Sequence, residues 1–204
     1  MNYMDILLAV LIGYFLGSIP FALVIGKVFF KKDIRQYGSK NLGGGNAGRV
    51  LGKKAGLAVM TMDILKVSLS IFLASIIAEG ELILVIAGLA AAVGHCFPIF
   101  AKFKGGKAVA TMYGFLFGMV IVGGHSLLIF VLPLIVFLIV LYLWKIIALA
   151  SMISAAVNTV FIYFAADSIP LFVASLIFTI VIIIRHHKNI ERMIAGNENK
   201  ISWM

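Results

Sequence analysis

Apolar residues run along this chain in long stretches, broken by short clusters of charge, glycine and proline. Seven stretches stand out: 6–26, 55–78, 82–100, 108–122, 126–143, 146–166 and 168–184. Each is apolar all round rather than along one stripe, which predicts helices surrounded by lipid or by other apolar helices. Barrel strands would alternate apolar and polar over about 10 residues, and these stretches do not. A bilayer-spanning helix takes about 20 residues. The pattern therefore predicts an all-α polytopic membrane protein with seven transmembrane helices, as a single domain over residues 1–204. The fourth and seventh stretches are short for a full span. The first is read as a retained helix and not a cleaved signal, because its positive charges follow the apolar run instead of preceding it.

Composition narrows the class further. Apolar types make up 63% of the 204 residues and charged types 12%, against about 45–50% and about 25% in soluble domains. Mean hydropathy is +1.14. A disordered chain needs the opposite balance, and a disulfide scaffold is excluded because Cys96 is the only cysteine.

Charge adds orientation. The loops at 27–54 and 101–107, the turn at Trp144–Lys145 and the tail 185–204 alternate with the apolar stretches so as to share one side. They hold 16 of the 17 Lys and Arg residues, and the remaining one, Lys66, lies inside the second stretch. The other side carries Asp5, Glu79, Glu81 and Asp167. Basic loops mark the cytoplasmic face, so the N-terminus is expected outside and the C-terminus inside. The net charge of +9 is assigned to this topology and to anchoring on an anionic leaflet, with no nucleic-acid partner.

Chemistry is then expected on the inner side, because the outer loops are too short to build a site. The segment Gly38–Arg49 holds five glycines, Asn41, Asn46, Ser39 and Arg49. Glycines let backbone N–H groups converge on an anion, and Arg49 offers a fork suited to phosphate. Gly43–Gly48 matches G-x-G-x-x-G, but no strand precedes it, so a dinucleotide fold does not follow. A P-loop is excluded because Arg49 follows Gly48. A second segment, Lys104-Gly105-Gly106-Lys107, opens directly into a helix, whose N-terminus is a ready anion site. In the tail, His186 and Asn189 share a face if the last helix continues, near Arg185 and Arg192. No carboxylate or cysteine completes a metal set around His186 and His187, so no metal is expected. Within the membrane, Asp63 and Lys66 lie one turn apart, where they can neutralise each other and brace the loops. Cys96 reads as a buried apolar side chain. Ser151 and Ser154 read as small packing residues.

These segments resemble the motifs of the bacterial integral-membrane glycerol-3-phosphate acyltransferases that use acyl phosphate. Gly17-Ser18-Ile19-Pro20 resembles their opening. Ser39–Arg49 resembles G-S-x-N-x-G-x-x-N-x-x-R, and Gly94–Thr111 resembles G-H-x-x-P-x-F-x-x-F-K-G-G-K-x-V-A-T. Ser151–Ala155 and Arg185–Glu198, including His186, Asn189, Ile190, Arg192, Gly196 and Glu198, are similar to the later motifs. The chain departs from the pattern at Gly44 and Gly45, where Ala and Thr are usual, and at Ala108, where Gly is usual. The resemblance implies a seven-helix enzyme of the bacterial cytoplasmic membrane that needs no cofactor or metal. It would move a fatty acyl group from acyl phosphate to the 1-hydroxyl of glycerol 3-phosphate, giving lysophosphatidic acid and phosphate.

Two phosphate-bearing substrates need two anion pockets. For the acyl phosphate the expected set is Asn41, Gly43, Gly44, Gly45, Asn46, Lys104, Gly105 and Gly106. For glycerol 3-phosphate it is Ser39, Arg49, Lys107, His186 and Asn189. Ser39, His95 and Lys107 are the candidate catalytic residues. Acyl phosphate is already activated, so direct attack is expected and Ser39 is not expected to carry an acyl group. The proton acceptor is His95 or the departing phosphate, the phosphate being preferred. A monomer in the bilayer would suffice. A transporter would need polar residues through the outer half and often an internal repeat, and neither is found. A metal-dependent head-group transferase would need an aspartate cluster, but only Asp33 and Asp63 lie near the inner side. A scaffold has no reason to collect glycines, asparagines and cations in two loops.

Overall fold

The computed structural model describes residues 2–201. Met1 and the last three residues of the tail, 202–204, lie outside the described residues. Regular structure among them is helical throughout. All seven apolar stretches are helical, and two short helices join them from segments read as loop or tail. The chain divides into two compact units, Met1–Gly124 and His125–Met204.

The first unit contains α1 (Tyr3–Gly17), α2 (Phe21–Phe30), α3 (Gly44–Leu51), α4 (Lys53–Ile77), α5 (Glu81–Cys96) and α6 (Val109–Ile121), with 3-10 turns at Ile34–Gln36 and Ile99–Ala101. Asn2 starts α1 through a capping box with Asp5. Pro20, which has no N–H to donate, separates α1 from α2. The first predicted stretch is thus a broken helix.

Small residues set the spacing. The α1 residues Gly13 and Gly17 lie against the carbonyls of Ala87 and Ala91 on α5, and Gly94 lies against the carbonyl of Tyr14. No side chain fits at these three glycines, so backbone meets backbone, as in other membrane helix pairs joined by small residues. On α6, Gly114 meets Ile64 of α4, and Ser68 Oγ donates to the Gly114 carbonyl at 2.9 Å. The outward residues, such as Leu57, Leu65, Phe72, Leu82 and Ile121, are large, apolar and exposed, as a lipid-facing surface requires.

The second unit contains α7 (Leu128–Trp144), α8 (Ile147–Ala165), α9 (Ile169–Arg185) and α10 (His187–Ile194). A buried polar ladder joins α8 to α9: Thr159 Oγ1 lies 2.8 Å from Thr179 Oγ1 and 3.0 Å from Ser175 Oγ. Ser151 Oγ donates to the Ile147 carbonyl within its own helix. The tail folds back on α7 and α8, with Ile201 N–H donating to the Lys145 carbonyl at 2.8 Å and its side chain packed with Val140, Leu141 and Ala150.

Among the described residues, four helical segments are long and apolar enough to cross a bilayer: Tyr3–Phe30, Lys53–Ile77, Glu81–Ala101 and Ile147–Ala165. The pair Ile169–Arg185 and His187–Ile194, bent by 56°, makes a fifth if it is counted as one span. Val109–Ile121 and Leu128–Trp144 are apolar but shorter.

Candidate active site

The Gly38–Arg49 segment is not the open loop that its composition predicts. Its second half is α3, with Gly43 as N-cap. The first half is a tight turn built over one side chain. Asn46 is buried; its Oδ1 accepts from the Ser39 N–H at 2.9 Å, and its Nδ2 donates to the carbonyls of Ile34 and Tyr37 at 3.3 and 3.2 Å. A side chain on Gly38 would overlap Asn46 Oδ1, and the positive φ of 57° suits glycine alone. Asn46 therefore clasps the turn rather than facing a ligand, because both its amide hydrogens are committed to carbonyls. This corrects its assignment to the acyl phosphate. The clasp leaves Ser39 exposed on the outside of the turn.

The glycines also divide in role. Gly44 and Gly48, one turn apart on α3, face Gly56 of α4; a Cβ on Gly56 would come within 2.6 Å of the Gly48 Cα. They bring two backbones together rather than open a loop. The N–H groups of Gly44 and Gly45 belong to the first turn of α3 and have no carbonyl inside the helix to donate to. The Asn41 amide lies beside them, since a Cβ on Gly43 would be 3.1 Å from Asn41 Nδ2. Asn41 and the N–H groups of Gly44 and Gly45 thus all lie near the N-terminus of α3. Arg49 is exposed in the last turn of the same helix. Arg35, by contrast, is neutralised by Asp33 through bonds of 2.6 and 2.9 Å, and these hold the Asp33 carboxyl down at about 2.

The second segment is built in the same way around His95, which is 5% exposed. After α5 the chain turns through Lys102 and Phe103, both at positive φ, and returns so that Gly106 N–H donates to the His95 carbonyl at 3.0 Å. A Cβ on Gly105 would overlap that carbonyl, and one on Gly106 would overlap His95 Nε2. Both glycines are needed because the turn lies directly on the histidine. Lys104 is exposed and Lys107 half-buried at its two ends. Ala108 follows at φ 62°, which explains why a glycine suits that position.

Beneath the turn, the predicted pair is formed: Lys66 Nζ lies 2.7 Å from Asp63 Oδ1. Sequence reasoning missed its other partners. Lys66 Nζ also donates to the Ile19 carbonyl at 2.9 Å and lies 3.1 Å from His95 Nδ1. The Ser18–Pro20 break exposes the Ile19 carbonyl for this purpose, and the proline in that stretch was the available signal.

The two segments are neighbours. Leu42 and Ala47 from the first pack with Ala101 from the second in one buried cluster. In the same unit, an apolar cavity of about 480 Å³ lies between α1, α2, α4 and α6. Ile19, Phe21, Met62, Leu69 and Phe72 line it, and among the described residues Lys66 is the one charged residue in its wall.

His186 and Asn189 belong to the second unit. The last membrane helix does not continue through them. His186 is the joint between α9 and α10, and its Nδ1 lies 2.7 Å from the Ile182 carbonyl. Asn189 Nδ2 donates to Glu198 Oε1, and Arg192 Nε to Glu198 Oε2, each at 2.7 Å. Glu198 thus ties the tail to α10.

Comparison with known proteins agrees with this architecture. Residues 7–196 match the family model described as glycerol-3-phosphate acyltransferase. Glycerol-3-phosphate acyltransferases of Enterococcus faecalis and Staphylococcus haemolyticus are each 43% identical, over 98% of this chain and 94% and 100% of theirs. The crystal structure of PlsY, an integral membrane glycerol 3-phosphate acyltransferase, in its glycerol 3-phosphate form superposes with a TM-score of 0.88 at 32% identity, covering 97% of this chain and 96% of that one. Its lysophosphatidic acid form gives 0.86. With helical, membrane-like architecture and relatives matched over nearly their whole length, the chain belongs to the glycerol-3-phosphate acyltransferase family.

Proposed function

We propose that this acyltransferase takes its acyl group from acyl phosphate and delivers it to the 1-hydroxyl of glycerol 3-phosphate, releasing lysophosphatidic acid and phosphate as the first acylation of phospholipid synthesis. The observation that carries this reading is the adjacency, in one unit, of two glycine-built turns suited to anions and an apolar cavity whose wall holds Lys66. An acyl phosphate is an apolar chain ending in a phosphate, and this arrangement matches that shape. Met62 to Phe72 along the cavity spans about 15 Å of helix, room for a long hydrocarbon.

Asn41, the α3 N-terminus, Lys104 and the Gly105–Gly106 turn are assigned to the acyl phosphate. Ser39, Arg49 and Lys107, all of the first unit, are assigned to glycerol 3-phosphate, and each is tested singly by the KM for that substrate. Holding the hydroxyl beside the acyl carbon supplies proximity, and N–H groups aimed at the carbonyl oxygen stabilise the oxyanion. The hydroxyl oxygen bonds to the acyl carbon, the carbon–phosphate oxygen bond breaks, and the departing phosphate takes the proton. An acyl adduct trapped on Ser39 would refute direct attack. The enzyme is read as a monomer with seven spans in the bacterial cytoplasmic membrane, its N-terminus outside and its site facing the cytoplasm.

The decisive assay gives purified protein in detergent labelled glycerol 3-phosphate with either palmitoyl phosphate or palmitoyl-CoA. Lysophosphatidic acid forms from palmitoyl phosphate alone. Equal product from the CoA ester overturns the donor assignment.

A further inference from the structure

We propose that Lys66 and Asp63 are positioning residues that lock His95 in the tautomer with its proton on Nε2, so that the ring presents a hydrogen-bond donor, and no basic lone pair, to the Gly105–Gly106 turn. The inference starts from donor counting. A lysine ammonium has three N–H donors and no acceptor. The three neighbours of Lys66 Nζ are Asp63 Oδ1 at 2.7 Å, the Ile19 carbonyl at 2.9 Å and His95 Nδ1 at 3.1 Å. Two of these are oxygens that can only accept. The third must also accept, because an ammonium facing it has nothing but protons to offer. Nδ1 therefore carries a lone pair, and the single proton of the ring sits on Nε2.

The competing arrangement would have Nδ1 donate to Asp63. That contact is 3.6 Å, beyond hydrogen-bond length. It would also bring an N–H toward the ammonium. With Lys66 positive, Asp63 negative and the ring neutral, the cluster has no net charge, which a site with Asp63 at 1%, Lys66 at 4% and His95 at 5% exposure requires. Phe21 lies across the ammonium, its centroid 5.7 Å away, and helps to hold it in place.

The consequence bears on the reaction, and here the inference rests on the reading that the Gly105–Gly106 turn holds a substrate phosphate. Nε2 lies on the side of the ring against Gly106. A donor there faces the turn read as anion-binding. A general base there would need the lone pair that Lys66 has directed to Nδ1. His95 is thereby removed as proton acceptor, which agrees with assigning that role to the departing phosphate.

Nitrogen-15 NMR of histidine-labelled protein in nanodiscs tests this without assuming any activity. The resonance missing from His95→Gln identifies the residue. At neutral pH the wild-type signal should show its proton on Nε2. His186 and His187 serve as internal references, because each places Nδ1 on a carbonyl and so should show the proton on Nδ1. A His95 proton on Nδ1, or on both nitrogens, overturns the proposal.

In Lys66→Met the ammonium is gone and the Asp63 carboxylate stands 3.6 Å from Nδ1, so the proton should move to Nδ1. The kcat should then fall on the order of 10- to 100-fold, the range seen when an outer-shell partner orienting a metal-bound histidine is removed. The double variant Asp63→Leu/Lys66→Met removes the buried charges together, so its thermal stability should return close to wild type. Its kcat should stay low, because nothing fixes the tautomer. Full recovery of kcat in the double variant would show that only charge burial mattered and would sink the proposal. Wild-type protein that transfers acyl groups but has the Nδ1 proton defeats the tautomer alone. Protein with the Nε2 proton and no transfer from palmitoyl phosphate defeats the functional reading alone.

Discussion

An alanine at position 106 would set its Cβ on the His95 ring, and the ring cannot move aside without breaking its bond to Lys66. Misfit of this kind typically costs about 1–3 kcal/mol. Gly106→Ala should therefore lower kcat/KM by roughly tenfold or more, because the shifted turn is part of the proposed phosphate site. Gly48→Ala is the control, since its Cβ would meet only the Gly56 Cα at an ordinary 3.8 Å; steady-state kinetics should show a milder effect. Ala108 poses a balance of three terms. Its left-handed backbone costs a non-glycine residue about 1–2 kcal/mol. A glycine there would relieve that, but would lose about 0.8 kcal/mol of buried methyl and about 0.5–1 kcal/mol to unfolded-state entropy. Ala108→Gly should thus shift stability by less than about 1 kcal/mol, which explains why this chain tolerates the alanine. Ala108→Val, a β-branched residue at positive φ with no exposed surface, should lower the melting temperature clearly, by roughly 1–3 kcal/mol of stability. Equal melting temperatures for the two variants would contradict the strain account.

At the scale of elements, the contact between α3 and α4 is made by glycines from both sides. Gly56→Ala would drive its Cβ into the Gly48 backbone at 2.6 and 2.8 Å, and backbone does not yield as a side chain does. This variant should unfold at lower temperature than Gly48→Ala, whose Cβ would meet only the Gly56 Cα at an ordinary 3.8 Å; a thermal shift assay in detergent compares them. The same glycines explain what could be read in the sequence and what could not. The seven apolar stretches were legible because lipid-facing helices are apolar all round, and their ends fall within a few residues of the observed ones. Helix α3 was not legible, because Gly44, Gly45 and Gly48 each cost about 1 kcal/mol of helix propensity. Only the partner helix reveals that the missing side chains permit close contact. Asn46 was misread for a related reason: an asparagine beside glycines suits a ligand site and a turn clasp equally, and its partners Ile34 and Tyr37 lie 12 and 9 residues away. Asp63 and Lys66 were legible as a pair by their spacing. Their link to His95 was not, since 29 residues separate it from Lys66.

For the molecule as a whole, α6 decides how many times the chain crosses the bilayer. Its 13 residues span about 20 Å, well short of the ~30 Å hydrocarbon core. Taken alone, that length would also fit a helix that enters and leaves on one face. The charge pattern argues for a crossing. Lys102, Lys104 and Lys107 precede α6, whereas Gly123, Gly124 and His125 follow it without a lysine or arginine, and the excess of basic residues marks the inner side. A short apolar helix can still cross where the bilayer thins around it, at a modest cost per ångström. Single-cysteine variants separate the two cases, and the native Cys96, at 1% exposure, gives little background. A membrane-impermeant maleimide applied to intact cells should label cysteines placed at Glu79, His125 and Asp167. Cysteines at Lys40, Lys102 and Lys145 should react only after the membrane is opened. Labelling at Lys102 but not at His125 in intact cells would invert the orientation. Protection of both would make α6 a helix that returns to the side it came from, and the seven-span reading would fail at that point.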